Sequence, residues 1–403
     1  MASSWANYFF LNLANGILMP YLPLYLKARG MPASRIGILL ACLELAGMAG
    51  PMLLGRFADS RAAYRGILAA SFIIPMAVML PMEWTSYFPA FVALIAVLGF
   101  TYRATIPLLD SLVSRILTDP ARQYGRLRVA GSFGFITISI FVQLTGWVSG
   151  DTSRPILVAF LATESCAALA VAFLPAAPRL PLRGRQGVSE EPMLPPRAGA
   201  PRLPAARPFD GFDAKFWVVM GVIFLGRFGI GAYYSFFSLY LKQTFPQANV
   251  SLLWAIGPLA EAFTIWFSGS LIRRWGIRTL LILSLAAMSV RLGLFIIAPS
   301  ILVVALAQLL HAFTFGTFHT SAVAFVNEKI GHDNRGVGMA IYSAGANGLP
   351  ALLASAAGGY ILQGHGFVTL FTSYAVVPMV GIVILGVFGA RLLPRRPPFS
   401  SQG

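Results

Sequence analysis

Ionisable side chains lie within long apolar stretches of this 403-residue chain. They comprise four acids and four bases: Glu44, Asp110, Glu164, Glu261, Arg103, Arg227, Arg291 and Arg128, the last just inside its stretch. His311 and His319 occupy another such stretch beside Gln308. A charge at the centre of a bilayer costs at least about 2.5–3.5 kcal/mol, so such residues usually pair or face a water-filled path. Pairing could serve only to hold helices together, but apolar residues would do that as well. The set therefore indicates binding and movement of a small solute.

The apolar stretches predict an all-α integral membrane protein. Hydrophobic residues make up 57% of the chain and charged residues only 11%, whereas soluble domains carry about 25% charged residues. One crossing needs about 20 residues, and hydropathy predicts twelve crossings. These are 4–28, 33–54, 64–82, 86–117, 125–149, 155–175, 214–242, 247–270, 276–297, 300–328, 335–363 and 366–391.

The basic residues predict the orientation of the chain. The net charge is +16, but most of the 30 Lys and Arg residues fall in alternate loops rather than in one patch. Positive loops face the cytoplasm. We therefore expect a multi-pass protein of the cytoplasmic (inner) membrane with both termini inside, and no nucleic-acid partner.

A Pro- and Arg-rich segment predicts a division into two halves. Residues 176–212 have no helical period, and we interpret them as a disordered cytoplasmic linker between six-helix bundles at 1–175 and 213–392, followed by a tail at 393–403. Leu-Tyr-Leu-Lys ends the first span at Lys27 and the seventh at Lys242, which favours a duplicated unit. Duplicated halves commonly rock about a central substrate site.

Other classes of function find little support in the sequence. It contains no nucleophile motif, metal-ligand cluster or Gly-rich phosphate loop, so we expect no enzyme, no cofactor and no metal. A sensor would need a signalling domain, and only the linker is available for one. Flux assays distinguish these possibilities from transport.

One loop resembles the major facilitator superfamily of transporters. Gly55-Arg56-Phe57-Ala58-Asp59-Ser60-Arg61, followed by Arg65, is similar to that superfamily's loop between helices two and three, with Ala62 where a second Gly is usual. The resemblance covers nearly the whole chain. It implies the major facilitator fold of two pseudo-symmetric bundles and a conformational latch formed by Gly55, Asp59 and Arg65. The second-half copy has Arg273 in place of Asp, so a one-sided latch is expected.

Finer features resemble the branch that contains the lactose and phenylpropionate permeases. Pro107 to Asp110, and Tyr124 to Arg128, are similar to the sugar-binding carboxylate and arginine of the lactose permease. Arg291 and His311 match its helices nine and ten. The run from Gln308 to Gly316, with His319, resembles the phenylpropionate permeases more closely.

Two departures affect the proton-carrying residues that the resemblance implies. Thr314 stands where the lactose permease has its proton-carrying Glu, and the helix-eight Glu is displaced by about one turn, to Glu261. The coupling residues of the lactose permease therefore do not all carry over to this chain.

Together these observations predict a monomeric secondary transporter, a proton-coupled symporter. Asp110 and Arg128 are the expected substrate-binding pair. The other predicted substrate contacts are Arg103, Asn12 and Asn15, and the predicted proton-coupling residues are Glu261, Arg291, His311, His319 and Glu44. We expect an aromatic or small organic acid as substrate, since arginines suit carboxylates. Proton symport of a sugar or nucleoside, and drug efflux by antiport, stay open.

Overall fold

The computed structural model describes residues 2–61, 63–117, 120–175, 211–330 and 334–393, apart from the side chains at 120–126, 128, 335 and 336. Regular structure in these ranges is helical throughout. The first half contains α1 (Ala2–Ala28), α2 (Ala33–Arg61), α3 (Tyr64–Met82), α4 (Phe88–Tyr102), α5 (Thr105–Ile116), α6 (Pro120–Thr145) and α7 (Ser153–Ala172). The second half contains α8 (Ala214–Thr244), α9 (Val250–Ile297), α10 (Ile301–Leu309), α11 (Phe318–Lys329), α12 (Arg335–Tyr342) and α13 (Leu349–Leu392).

Length and apolar character identify these helices as membrane spans. Nine stretches of the described residues are long and apolar enough to cross a bilayer, and α6 adds a shorter apolar segment, Val129–Thr145. Two of the nine contain a break. Gly276 in α9 and Gly366 in α13 both have φ of 77°, a conformation that glycine adopts without steric cost. Twelve predicted crossings are compatible with these segments once α9 and α13 are divided at their glycines.

Three predicted spans are interrupted where the sequence suggested one continuous helix. Arg103 and Ala104 form a turn between α4 and α5. A π-helical segment, Ala312–Thr317, separates α10 from α11, and a second one, Ser343–Gly348, separates α12 from α13. A π-helical turn is wider than an α-helical one and occurs frequently at functional sites. We therefore expect the functional site to lie near these interruptions.

Polar side chains cap the two helices that open the second half. Asp213 accepts a hydrogen bond from the Phe216 N–H at 2.9 Å, and Asn249 accepts one from the Leu252 N–H at 2.9 Å. The Lys329 ammonium, 2.7 Å from Asp213, and the Phe216 N–H lower the pKa of this carboxyl below its usual value. These contacts fix where α8 and α9 begin.

The two halves meet tightly at one side of the molecule. A Cβ at Gly37 would overlap the Ser355 carbonyl oxygen and the Gly359 backbone, so α2 and α13 are in backbone contact. Small residues permit such close approach in lipid. Three hydrogen bonds between the halves lie at this side, which we call the closed side: Tyr21 to Ser251 at 2.7 Å, Ser34 to Gln363 at 3.0 Å and Lys242 to Asp151 at 3.3 Å.

Candidate functional site

A cavity of about 200 Å³ lies between the two halves. Helices α1, α2, α8 and α13 line it, together with the turn after α4 and the second π-helical segment. Its polar lining comprises Glu44, Tyr102, Arg103, Arg227, Tyr234, Ser235, Asn347 and Ser355. Its apolar lining includes Leu18, Met19, Leu22, Pro23, Leu40 and Leu43. A concave, mostly apolar site with a few polar groups is typical of small-molecule binding.

Glu44 and Arg103 form an ion pair on the first-half wall of this cavity. Their side chains are 22% and 29% exposed, so the pair is accessible from the cavity. Gly47 lies one turn after Glu44, and a Cβ there would overlap the side chain of Arg103. The glycine therefore makes room for the arginine beside α2. The sequence predicted both charged residues as functional but did not predict that they pair.

Asn15 and Asn12 are connected to the cavity by hydrogen bonds that begin at Tyr102. Tyr102, which lines the cavity, donates to Asn15 Oδ1 at 2.8 Å. Asn15 Nδ2 lies 3.5 Å from Asn12 Oδ1, and Asn12 Nδ2 donates to the Tyr8 carbonyl oxygen at 3.0 Å. Asn12 and Asn15 are thus placed behind the cavity wall rather than in it.

The predicted Asp110–Arg128 pair is only partly described. Asp110 lies on α5 and accepts a hydrogen bond from the Tyr8 hydroxyl at 2.5 Å. Asp110 is not among the residues that line the cavity. Arg128 belongs to α6, but its side chain lies outside the described residues. Their pairing stays a prediction.

A connected polar chain in the second half joins Glu261, His311 and Arg291. Glu261 Oε2 lies 3.1 Å from His311 Nε2, and Arg291 Nη1 lies 3.0 Å from His311 Nδ1. An arginine can only donate, so Nδ1 accepts and Nε2 carries the proton that points to the carboxylate. The imidazole therefore connects an acid and a base through its two nitrogens.

Arg291 is fully buried, and its guanidinium contacts polar and aromatic side chains. It donates to Thr314 Oγ1 at 3.0 Å and to Gln308, and its guanidinium lies 3.8 Å from the centre of the Tyr233 ring. Thr314, which stands where a proton-carrying Glu was expected, thus serves as a hydrogen-bond acceptor for Arg291. These contacts hold the guanidinium against the imidazole.

His319 and His311 lie on either side of one aromatic ring. Phe315, in the first π-helical segment, stacks with His311 at 5.7 Å and with His319 at 5.6 Å between ring centres. His319 Nδ1 lies 2.7 Å from the Tyr342 hydroxyl. The Arg227 guanidinium lies 4.9 Å from the centre of the same Phe315 ring. Both predicted histidines therefore belong to one cluster that extends to the cavity.

Arg227 and Tyr234 line the cavity, although neither had an individual predicted role. Arg227 is 7% exposed, and its Nε and Nη2 have no hydrogen-bond partner among the described residues. The buried Tyr234 hydroxyl likewise has no partner in the described part of the chain. The seven-residue spacing places both on one face of α8, a signal that was present in the sequence. Glu164 on α7, which does not line the cavity, is fully buried, and neither of its carboxylate oxygens has a partner among the described residues.

The three predicted latch residues, Gly55, Asp59 and Arg65, make separate contacts in the structure. Asp59 accepts from the Tyr64 hydroxyl at 2.5 Å and from Arg115 at 2.5 Å. Arg65 donates instead to the Ala172 carbonyl oxygen at 2.7 Å. No atom lies within 4 Å of a Cβ built at Gly55, so no close helix approach occurs there. Arg115, which the sequence analysis did not single out, is the partner of Asp59.

Among the described residues, no group of three or more His, Cys, Asp or Glu side chains comes together in a way that could hold a metal ion.

Comparison with known proteins agrees with this architecture. The model of the MFS_1-like family matches residues 4–373. The maltose permease of Geobacillus stearothermophilus is 25% identical over 388 residues, which cover 95% of this chain and 93% of the permease. The probable 3-phenylpropionic acid transporter of Escherichia coli (strain K12) is 25% identical over 376 residues, 91% and 92% of the two chains. The crystal structure of the nucleoside transporter NupG has a TM-score of 0.79 at 17% identity, and covers 96% of this chain and 98% of NupG.

The family match and the similar permeases show that the chain is a multi-pass secondary transporter and not an enzyme. The chain belongs to the MFS_1-like family of the major facilitator superfamily.

Proposed function

We propose that the protein is a proton-coupled symporter that brings a small organic acid across the cytoplasmic membrane. The observation that carries this proposal is the chain from Glu261 through His311 to Arg291, which lies in the cluster that borders the cavity. It works as a monomer with both termini in the cytoplasm. Alternating access moves the two halves, 1–175 and 213–392, about the central cavity.

The two nitrogens of His311 give this chain a means of responding to a proton. In the neutral ring, Nδ1 accepts from Arg291 while Nε2 donates to Glu261. When the ring is doubly protonated, both nitrogens are donors, so the bond from Arg291 is lost and two cations face each other. Protonation at this site therefore displaces Arg291 from His311, which links proton binding to the arrangement of α9.

The charge of the cavity lining supports an acidic substrate. Arg103 and Arg227 contribute two positive charges against the one carboxylate of Glu44. Arginine recognises carboxylates through charge-assisted hydrogen bonds. The similarity to a probable 3-phenylpropionic acid transporter points the same way. Asp110 and Arg128 are assigned to the first-half part of the substrate path, with Asn12 and Asn15 supporting Tyr102 at the cavity wall.

The closed side is assigned to the exterior of the cell. The chain enters α1 at the side that carries most of the loop arginines and leaves it at Lys27, next to the closed side. The positive-inside rule then orients the arginine-rich side to the cytoplasm. In this assignment the conformation described here is closed to the outside.

Sugar or nucleoside symport is the main alternative, supported by the similarity to a maltose permease and to NupG. A cavity of about 200 Å³ is small for a disaccharide, since sites for drug-sized ligands have about 300–1,000 Å³. Drug efflux by antiport would use the same fold, but the solute would move in the direction opposite to the proton.

Uptake by proteoliposomes tests these assignments. Labelled 3-phenylpropionate, maltose and uridine are supplied outside vesicles that are alkaline inside, at a pH where the acid is ionised. We expect gradient-dependent accumulation of the acid above that of protein-free vesicles. Accumulation of only maltose or uridine would favour the alternative. Accumulation of a solute only under the reversed gradient, in vesicles that are acidic inside, would favour antiport.

A further inference from the structure

Arg227 and Tyr234 lie on one face of α8 and both line the cavity. Among the described residues, Nε and Nη2 of Arg227 and the hydroxyl of Tyr234 are buried without a hydrogen-bond partner. Buried polar groups in folded proteins nearly always have partners, so the three unpaired groups together point to a ligand.

The other two intramembrane arginines near the cavity are placed differently. Arg103 is paired with Glu44. Arg291 is bonded to His311, Thr314 and Gln308, and although its Nε is unpaired among the described residues, Arg291 does not line the cavity. Among the described residues, no Asp or Glu carboxylate lies within 4.0 Å of Arg227. Its charge therefore lacks a counter-ion from the part of the chain that the structure describes.

The surroundings of Arg227 hold it in place without neutralising it. Its guanidinium lies 4.9 Å from the Phe315 ring centre and 5.5 Å from that of Phe318. The Tyr342 hydroxyl, which also contacts His319, lies close enough to interact with it. Aromatic faces attract a cation, yet a buried charge without an ionic partner carries a large desolvation cost. An anion in the cavity would offset that cost.

We propose that Arg227 and Tyr234 form the carboxylate-binding site of the transporter. The ligand is a compact monocarboxylate whose apolar body lies against the leucine-rich first-half wall. Leu18, Leu22, Leu40 and Leu43 provide that wall, across the cavity from α8. The carboxylate accepts from the guanidinium and from the tyrosine hydroxyl. This assignment rests on the proposed organic-acid substrate, and it locates recognition of the acid on α8 rather than at Asp110 and Arg128.

The binding test uses a matched pair of probes on the purified full-length protein. 3-Phenylpropionate and its neutral amide, 3-phenylpropanamide, have nearly the same shape and differ in charge. Ligands that bind the folded state raise its apparent stability, so thermal unfolding is followed as each probe is titrated. We expect the acid to stabilise the wild-type protein at much lower concentration than the amide.

Variants then locate the charge that the acid recognises. Arg227→Gln should weaken binding of the acid by about 10- to 100-fold, as expected for loss of a hydrogen bond to a charged group, and should leave binding of the amide unchanged. Tyr234→Phe should weaken acid binding by about 3- to 10-fold. Arg154→Gln is the matched control, since Arg154 has an 87% exposed side chain outside the cavity.

Stability without a probe distinguishes a binding role from a structural one. Removal of an unneutralised buried charge should leave the unfolding temperature of the Arg227→Gln variant equal to or above that of the wild type. If Arg227→Gln and Tyr234→Phe both bind the acid as the wild type does, the carboxylate site is overturned while organic-acid transport stands. If the wild type binds maltose or uridine but not the acid, the substrate proposal itself fails, and the carboxylate site with it.

Discussion

His311 accepts a hydrogen bond at Nδ1 from Arg291 Nη1, 3.0 Å away, and this fixes which nitrogen of the imidazole carries its proton. The other nitrogen, Nε2, lies 3.1 Å from Glu261. One ring thus separates a carboxylate from a guanidinium inside a bundle of apolar helices. The arrangement makes the position of Arg291 depend on whether a proton is present.

Replacing Glu261 by Gln should separate solute exchange from proton-driven accumulation. Gln can still accept a hydrogen bond from Nε2, but unlike a carboxylate it cannot take up a proton from His311. We expect accumulation under an inward proton gradient to fall at least about tenfold, equivalent to about 1.4 kcal/mol of driving force, while exchange of internal for external solute continues. Arg154→Gln serves as control. Equal loss of exchange and accumulation would contradict a specific coupling role.

Breaking the Glu44–Arg103 pair should lower stability. Glu44→Gln leaves Arg103 without its counter-ion in the cavity wall, and we expect a loss of about 1–3 kcal/mol, less than the 3–5 of a fully buried pair because both side chains are partly exposed. The charge-reversed double variant Glu44→Arg with Arg103→Glu should recover part of the loss. Thermal unfolding of the single and double variants measures it. Additive losses in the double variant would show that the two charges do not interact energetically.

A side chain at Gly37 should open the closed side. A Cβ there would overlap backbone atoms of α13, so Gly37→Val imposes a strain of about 1–3 kcal/mol, enough to shift a two-state equilibrium by about 5- to 150-fold. Spin labels at the exposed positions Ser149 and Gln247 should report a longer distance between the halves.

The matched control for that substitution is Gly66→Val on α3. No atom lies within 4 Å of a Cβ at Gly66, so the label distance should stay that of the wild type. An unchanged distance in the Gly37→Val variant would show that the α2–α13 contact does not determine the closure.

The latch at Asp59 should depend on Arg115 more than on Arg65. Asp59 is bonded to Arg115 and to Tyr64, whereas Arg65 contacts a backbone carbonyl. The pair is exposed, so each charge removal is expected to cost no more than about 1 kcal/mol, a factor of about five in turnover. Initial uptake rates should fall similarly in Asp59→Asn and Arg115→Gln, and less in Arg65→Gln. The reverse order would favour a latch that depends on Arg65, as the sequence suggested.

The fold was predictable because it depends on residue composition and on helix length. Apolar runs of spanning length, separated by basic loops, leave few alternatives to a helical membrane bundle, since the backbone must satisfy its own hydrogen bonds in lipid. The break at Gly276 was anticipated in the span limits. The π-helical segments around Phe315 and Asn347 were not anticipated. Local sequence does not determine whether a backbone N–H bonds to the carbonyl four residues earlier, as in an α-helix, or five residues earlier, as in a π-helix.

The candidate site was predictable in its residue types but not in its pairings. Charges in apolar spans predicted a functional role for Glu44, Arg103, Glu261 and Arg291, and the structure brings each to a polar partner. Which charge meets which depends on helix rotation, which sequence periodicity does not resolve. Arg227 was recognised only as an intramembrane base, because its lack of a partner is a property of the folded bundle alone.

The proposed function is tested most directly by accumulation of labelled 3-phenylpropionate in proteoliposomes with and without an inward proton gradient. The wild-type protein should accumulate the acid above the level of protein-free vesicles only while the gradient lasts, and a protonophore should release the excess. The Glu261→Gln variant should exchange the acid without concentrating it. Accumulation that does not depend on the proton gradient and is not reduced by the protonophore would contradict proton-coupled symport of an organic acid.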